Sequence, residues 1–308
     1  MDLEVSVVIP THGRAPFLRE SLQSVAAQTR RPDEIIVVDD GSEPATRDRK
    51  AALAAEYGCQ FIASPERRGA AYARNIGAAA AKGNFLCFLD HDDMLLPSST
   101  EKKLARLRSA PDAALCYGGY VYVNERGEEV EKPVIPYKEG DAFCQALAHF
   151  EIFLSPSCVM VSRICFEEVG GFDSDRSLFH CEDYDLWLRL ALGGWPVVAV
   201  PEVLSQWRRH ADAWAHEFTA ESIDLALVAL LSRAENKFPR WSHDLRNQRA
   251  EVLYRLGRYA MIAGSWEKAK EALKQSIVAD PFRWKPYPRY MQVSLASVMG
   301  ASPSDLAH

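Results

Sequence analysis

Three short apolar runs near the start of the chain each end abruptly in a polar cluster, and this pattern limits what the chain can fold into. Val5 to Ile9 runs into Pro10-Thr11-His12-Gly13-Arg14, Ile35 to Val38 into Asp39-Asp40-Gly41-Ser42, and Phe85 to Leu89 into Asp90-His91-Asp92-Asp93. Such runs are too short for helices and read as strands buried on both faces. Between them the spacing turns helical. Phe17, Leu18, Leu22 and Val25 recur within residues 15–28, a second helix is expected around 45–57, and an Ala-rich one spans 70–82. A further short strand is expected at 60–63. This β-α-β-α alternation predicts a mostly parallel sheet flanked by helices. The ends of parallel strands share one edge, where ligands bind, so three clusters distant in sequence should converge there.

After Pro97 the order loosens. Residues 115–123 and the turn Asn124-Glu125-Arg126-Gly127 predict a hairpin. Residues 158–161, 197–200 and 203–207 read as short strands, and 182–192 as an amphipathic helix. Beyond about 217 only helices are expected, which divides the chain into 1–216 and a helical extension, 217–308. Within the extension, Leu256-Gly257, Tyr259, Gly264, Ala269, Ala272 and Pro281 fall where a tetratricopeptide repeat has them. Only one unit is visible, so a helical hairpin capping the first domain is the simpler expectation.

Five carboxylates gathered at one edge (Asp39, Asp40, Asp90, Asp92, Asp93) repel one another unless a cation is present. Asp90 and Asp92 flank a single residue on a turn, a spacing that suits Mg²⁺ or Mn²⁺ shared with substrate phosphates. Asp93 either belongs to this group or caps the helix starting near Pro97. Asp39 and Asp40 suit hydrogen bonds from a nucleobase N–H or a ribose hydroxyl, and Arg74 is placed to pair with the acidic edge. Neither a G-x-x-x-x-G-K-[ST] loop nor a post-strand G-x-G-x-x-G occurs, which argues against kinases and dinucleotide oxidoreductases.

The seven cysteines are odd in number and form no C-x-x-C pair, which fits reduced thiols. The opening MDLEVSVVIPTHGR has neither the basic stretch nor the apolar run of a secretory leader, so a cytoplasmic location is expected. Net charge of −6 speaks against nucleic acid as a partner. Residues 233–290, however, carry 13 Lys/Arg against 6 Asp/Glu. That balance fits either a solvated helical surface or peripheral contact with the inner face of a membrane.

Taken in order, VSVVIPTHGR, IIVVDDGS, ARNIGAAAAKGNFLCFLDHDD, GGFDSD, CEDYDLWLRL and RRH resemble the family-2 glycosyltransferases of GT-A fold, over residues 5 to about 210. The resemblance implies an inverting transfer of a sugar from a nucleotide-diphosphate donor, UDP-sugars favoured, to a glycan or lipid-linked acceptor, assisted by Mn or Mg. It implies Pro10, Thr11, His12, Arg14 and Asp40 around the nucleoside, with Asp39 supporting the turn and Arg74 and Asp90 nearby. It further implies Asp90, Asp92 and His210 at the metal, Asp183 as general base, and Glu182 and Arg208 as acceptor or loop support. His12 stands where Tyr or Asn is common, and Gly41-Ser42-Glu43-Pro44 departs from the usual Ser-Thr-Asp run. A catalytically silent scaffold and a sugar nucleotidyltransferase are the alternatives. Intact D-x-D and E-D elements count against the first, and the lack of a Gly-rich basic loop after the first strand counts against the second.

Overall fold

The computed structural model describes residues 4–175, 178, 181–210 and 219–299. It resolves into two compact units, Met1–Ser174 with Glu182–Ala213, and Asp175–Cys181 with Trp214–His308.

In the first unit, β1 (Val5–Thr11), β2 (Glu34–Asp40), β3 (Gln60–Ser64) and β4 (Phe85–Phe88) alternate with α1 (Leu18–Ala26), α2 (Pro44–Glu56) and α3 (Ala70–Ala80). Then follow β5 (Met94–Leu95), α4 (Ser99–Arg108), β6 (Leu115–Val123), α5 (Gly140–Ala148), β7 (Val159–Ser162), α6 (Arg163–Glu168), α7 (Glu182–Leu192) and β8 (Val197–Arg208). The eight strands form one sheet in the order β3-β2-β1-β4-β7-β6-β8-β5. The pairs β1–β2, β2–β3, β1–β4 and β6–β8 are parallel, while β7 and β5 pair antiparallel with their neighbours.

β1 lies inside the sheet with all seven residues buried, as its unbroken apolar run requires. Leu18, Leu22 and Val25 of α1 and Leu104 and Leu107 of α4 pack with Val5, Val7 and Ile9 in one core cluster. Burying a leucine of this kind stabilises by about 2 kcal/mol. α3 lies against β1 and β2, and a Cβ at Gly77 would collide with Val8, so the small residues of this helix allow its close approach to the sheet.

Two sequence expectations need correction. The segments 197–200 and 203–207 are one strand, β8. It passes Pro201 through register shifts opposite Gly118, Gly119 and Tyr120, which accommodate a residue that has no N–H to donate. The predicted hairpin is only partial. Asn124 Oδ1 accepts the N–H groups of Arg126 and Glu128 and makes the turn, but among the described residues the returning chain forms only isolated bridges to β6, at Val123–Glu129 and Tyr120–Val134, and no strand of its own.

The second unit contains α8 (Ala220–Lys237), α9 (Ser242–Ile262), α10 (Trp266–Ala279) and α11 (Pro286–Met299). α9 and α10 form the hairpin suggested by the repeat-like residues. Gly257 lets them cross closely, since a Cβ there would lie 2.7 Å from Leu273. Ala260, Ala269, Leu273 and Val293 form the core of this helical layer.

Candidate active site

The C-terminal ends of β1 and β2 are locked together by a buried lysine. Lys50 reaches from α2 to form an ion pair with Asp39 and donates to Ser42 Oγ (2.8 Å) and Thr11 Oγ1 (3.2 Å). Burial alone would raise the Asp39 pKa, but Lys50 and the Ser42 N–H outweigh it and hold this carboxyl below the usual range. Asp40 accepts the backbone N–H groups of Arg68 (2.8 Å) and Gly69 (2.7 Å), which ties β2 to the start of α3. Gly41 has φ of +65°, and a Cβ on it would run into the Glu66–Arg67 backbone. His12 Nδ1 lies 2.7 Å from the Asp40 carbonyl oxygen, which can only accept, so Nδ1 carries the hydrogen.

Of the residues assigned by resemblance to the nucleoside, Pro10, Thr11, Asp39 and Asp40 are therefore buried, and the polar side chains among them bond within the protein. His12 and Arg14 reach solvent. Lys50 carried no sequence signal, because a lysine on a polar helix reads as surface.

The turn after β4 is fixed from three sides. Its backbone closes through Asp93 N–H to Asp90 C=O at 3.0 Å. Ser157 Oγ–H donates to Asp93 Oδ2 (2.6 Å) and the same oxygen accepts from Asp90 N–H (3.2 Å). Arg208 donates its backbone N–H to Asp93 Oδ1 (3.0 Å) and its Nε–H to the Asp92 carbonyl (3.0 Å). The Arg208 side chain, fully buried, also pairs with Glu20 and lies over the Phe17 ring. Arg208 thus bonds to this turn through both its backbone and its side chain. Asp93 does not cap a helix: α4 starts at Ser99, and the Asp93 carboxyl is used by Ser157 and Arg208. Burial, with Asp92 and Asp90 beside it, raises the Asp93 pKa well above the ordinary range.

Arg74 joins this turn to α7. Its Nη2 donates to Asp90 Oδ1 (2.6 Å) and its Nη1 to Glu182 Oε1 (3.1 Å). This is the pairing with the acidic edge that the sequence predicts for Arg74, and a guanidinium buried this deeply needs carboxylate partners to offset its desolvation. The next residue, Asn75, exchanges two hydrogen bonds with the Phe172 backbone, and Arg189 caps the carbonyls of Val169 and Gly171. The GGFD segment is held by these contacts.

Asp183 occupies the first turn of α7, its Oδ1 accepting the Tyr184 N–H at 2.7 Å. Burial and the adjacent Glu182 push its pKa up from 3.8 to about 7, against the opposing pull of Arg74. A carboxyl with a pKa near neutrality can take a proton from a substrate hydroxyl and release it afterwards.

His210 Nε2 lies 3.0 Å from Asp92 Oδ2, and the imidazole packs edge-on against Phe17. Burial would raise the Asp92 pKa, but His91 and His210 hold it below the ordinary range, so the carboxyl is ionised. Among the described residues no three His, Cys, Asp or Glu side chains form a metal site on their own. One ionised carboxylate and one imidazole do fit a hard divalent cation that completes its shell with substrate phosphate oxygens. Asp90 is nearby but already has one oxygen on Arg74.

Among solved structures, residues 1–349 of S. aureus TarS in complex with UDP-GlcNAc match with a TM-score of 0.70 at 14% identity, covering 97% of this chain and 92% of that one. A mannosyltransferase from Pyrobaculum calidifontis in complex with GDP-Man and Mn²⁺ matches with a TM-score of 0.59 at 19% identity, covering 96% and 81%. These likenesses establish the GT-A fold. In sequence, an uncharacterized glycosyltransferase of Rickettsia typhi is 30% identical over 60% of this chain, and the match spans only 58% of that protein. The amylovoran biosynthesis glycosyltransferase AmsE of Erwinia amylovora is 28% identical over 63% of this chain and 71% of its own length. The family model for glycosyl transferase family 2 matches residues 6–170, and the chain belongs to that family.

Proposed function

We propose that this glycosyltransferase moves a hexosyl group from a nucleoside-diphosphate sugar, UDP-sugars first, to a hydroxyl of a glycan or lipid-linked acceptor, with inversion at the anomeric carbon. The observation that carries this reading is Asp183, a carboxyl with a pKa near 7 in an edge otherwise built from paired carboxylates. UDP is favoured because the TarS neighbour holds UDP-GlcNAc; the GDP-Man neighbour is the counterweight. A glycan acceptor draws support from the relative named for amylovoran biosynthesis. Among the described residues no helix is long and apolar enough to cross a membrane.

In this mechanism His12 and Arg14 meet the nucleoside. Asp40 contributes the lone pairs that its two backbone hydrogen bonds leave over, and Asp39 with Lys50 keeps that turn rigid. Asp92 and His210, with Asp90 behind them, would hold Mn²⁺ or Mg²⁺. When bound, the ion offsets negative charge on the departing diphosphate. Asp183 accepts the proton of the acceptor hydroxyl. That oxygen bonds to the anomeric carbon as the bond to the diphosphate breaks on the opposite face. A single base and one displacement give inversion. Arg74 keeps Asp90 and Glu182 apart and sets the charge seen by Asp183. Residues 1–216 form the catalytic domain in this reading, and the extension from 217 takes no part in the chemistry.

The test is turnover of a panel of nucleotide-sugars with Mn²⁺ or Mg²⁺, following the nucleotide product and reading the anomeric configuration of the sugar product by NMR. Nucleoside diphosphate with an inverted product is expected. Pyrophosphate would assign a nucleotidyltransferase, retention would remove the single-base mechanism, and no turnover on any donor would favour a scaffold.

A further inference from the structure

We propose that the turn between α10 and α11 is a membrane-contact tip that seats against anionic phospholipid at headgroup depth. Within residues 278–291 five large apolar side chains are exposed: Val278, Phe282, Trp284, Tyr287 and Met291. Phe282 is 98% and Trp284 72% exposed, values out of keeping with side chains of that size in a folded layer. This is not a frayed core. Pro286 and Val293 are buried and Tyr290 packs on the helical core, so α11 already has an inner face; Tyr287 and Met291 are exposed on α11, and Trp284 is exposed in the turn before it.

The charge around the tip is one-sided. Asp280 is the one acidic residue in the stretch, and it is 3.5 Å from Arg283, which also pairs with Glu251. Lys285 and Arg289 are exposed, and Arg289 bonds to the neutral Gln292 at 3.0 Å. Two cations beside aromatic rings suit an anionic headgroup layer, where Trp and Tyr settle and each cation strengthens binding about fivefold. The shape points the same way. Phe282 and Trp284 stand exposed on a turn, and a lipid layer deforms around such a projection. The turn is also preorganised. Tyr287 Oη–H donates to the Pro281 carbonyl (2.7 Å), Phe282 N–H to Asp280 Oδ1 (3.1 Å), and Pro286 and Pro288 limit the backbone. One such tip gives reversible rather than permanent attachment.

The inference stands apart from the catalytic assignment and is tested without substrate. The full-length protein is co-sedimented with phosphatidylcholine vesicles and with vesicles that also contain phosphatidylglycerol, at low and at high salt. Binding is expected only to the anionic vesicles, weakening as salt rises. Phe282→Ser with Trp284→Ser, and separately Lys285→Glu with Arg289→Glu, should each weaken it at least about tenfold. Unfolding temperatures should not change, because these side chains are exposed. Absence of binding by the wild type, or binding unaffected in both variants, overturns the proposal. So does a concentration-dependent dimer in sedimentation velocity that the double serine variant abolishes, which would make the tip a protein interface.

Discussion

Arg74 donates to Asp90 Oδ1 at 2.6 Å and so ties the D-x-D turn to the helix that carries Asp183, because its second nitrogen holds Glu182. The acidic edge is thereby organised around one buried cation. Its loss leaves two carboxylates facing each other across a space where neither is easily solvated.

Arg74→Met is expected to cost stability by about 3 kcal/mol, the range for breaking a buried charge pair from one side. Activity should fall at least about a hundredfold, since the misplaced groups lie at the reacting edge. Arg74→Lys should recover little, because a single ammonium cannot reach both carboxylates as the guanidinium fork does. Urea melts and donor turnover on the same preparations check this. A fully active lysine variant would contradict the bridging role.

The Asp183 pKa of about 7 gives the pH dependence its sign. As a base, Asp183 works only when deprotonated, so kcat/KM should fall on the acid side of a single limb centred near pH 7. Glu182 raises this pKa and Arg74 lowers it. Glu182→Gln should therefore move the limb to lower pH, and the residual activity of Arg74→Met should titrate at higher pH. A shift to higher pH in Glu182→Gln with a shift to lower pH in Arg74→Met, or no shift in either, would place the base elsewhere.

Asp183→Asn should retain donor binding and lose at least about a hundredfold in rate. It should also be the more stable protein at high pH. A carboxyl whose folded pKa lies above its unfolded value lets stability fall as pH rises from about 4 to about 7, and above that window the whole penalty is present. The ceiling set by that shift is about 4 kcal/mol; partial solvent access reduces it to about 1–2 kcal/mol. Thermal melts of both proteins at pH 8 and below pH 4 test the sign: a gain at the first and none at the second.

Asp92→Ala is expected to abolish metal-dependent stabilisation by nucleoside diphosphate while leaving the melting temperature of the free protein within a few degrees of wild type. Asp92 stands on the turn rather than in the core, and ligand-linked stabilisation reports binding directly. Unchanged stabilisation by Mn²⁺ plus UDP would remove Asp92 from the metal.

The frame of the site was legible because it depends on pattern. Apolar runs fixed β1, β2 and β4, and a parallel sheet brought their ends together. The local supports were not legible. Lys50 lies on a helix whose other polar residues face water, and only the fold shows it buried against Asp39. Ser157 is one of two serines flanking Pro156, far in sequence from the turn it organises. Arg74 could be expected to pair with acids, but which acids depended on α7 arriving beside α3. The break at Pro201 suggested two strands because sequence cannot show that the partner strand shifts register to meet it.

Ser157 supplies the last prediction. Its hydroxyl donates to Asp93 Oδ2 and accepts from Asp90 N–H, so one small group fills two needs inside the turn. Ser157→Ala leaves a buried backbone donor without that acceptor and removes a hydrogen bond from a buried carboxyl, at a cost of about 1–3 kcal/mol. The turn is also held by Arg208, so it should loosen rather than collapse. The expected outcome is a melting temperature lower by several degrees, weaker donor binding with Mn²⁺, and a pH limb that stays near 7, because Ser157 is not among the groups that set the Asp183 pKa. Ser157→Cys, close in size but a poorer hydrogen-bonding group, should fall between alanine and wild type in donor affinity. Donor affinity equal to wild type in both variants would show that Arg208 alone positions the turn.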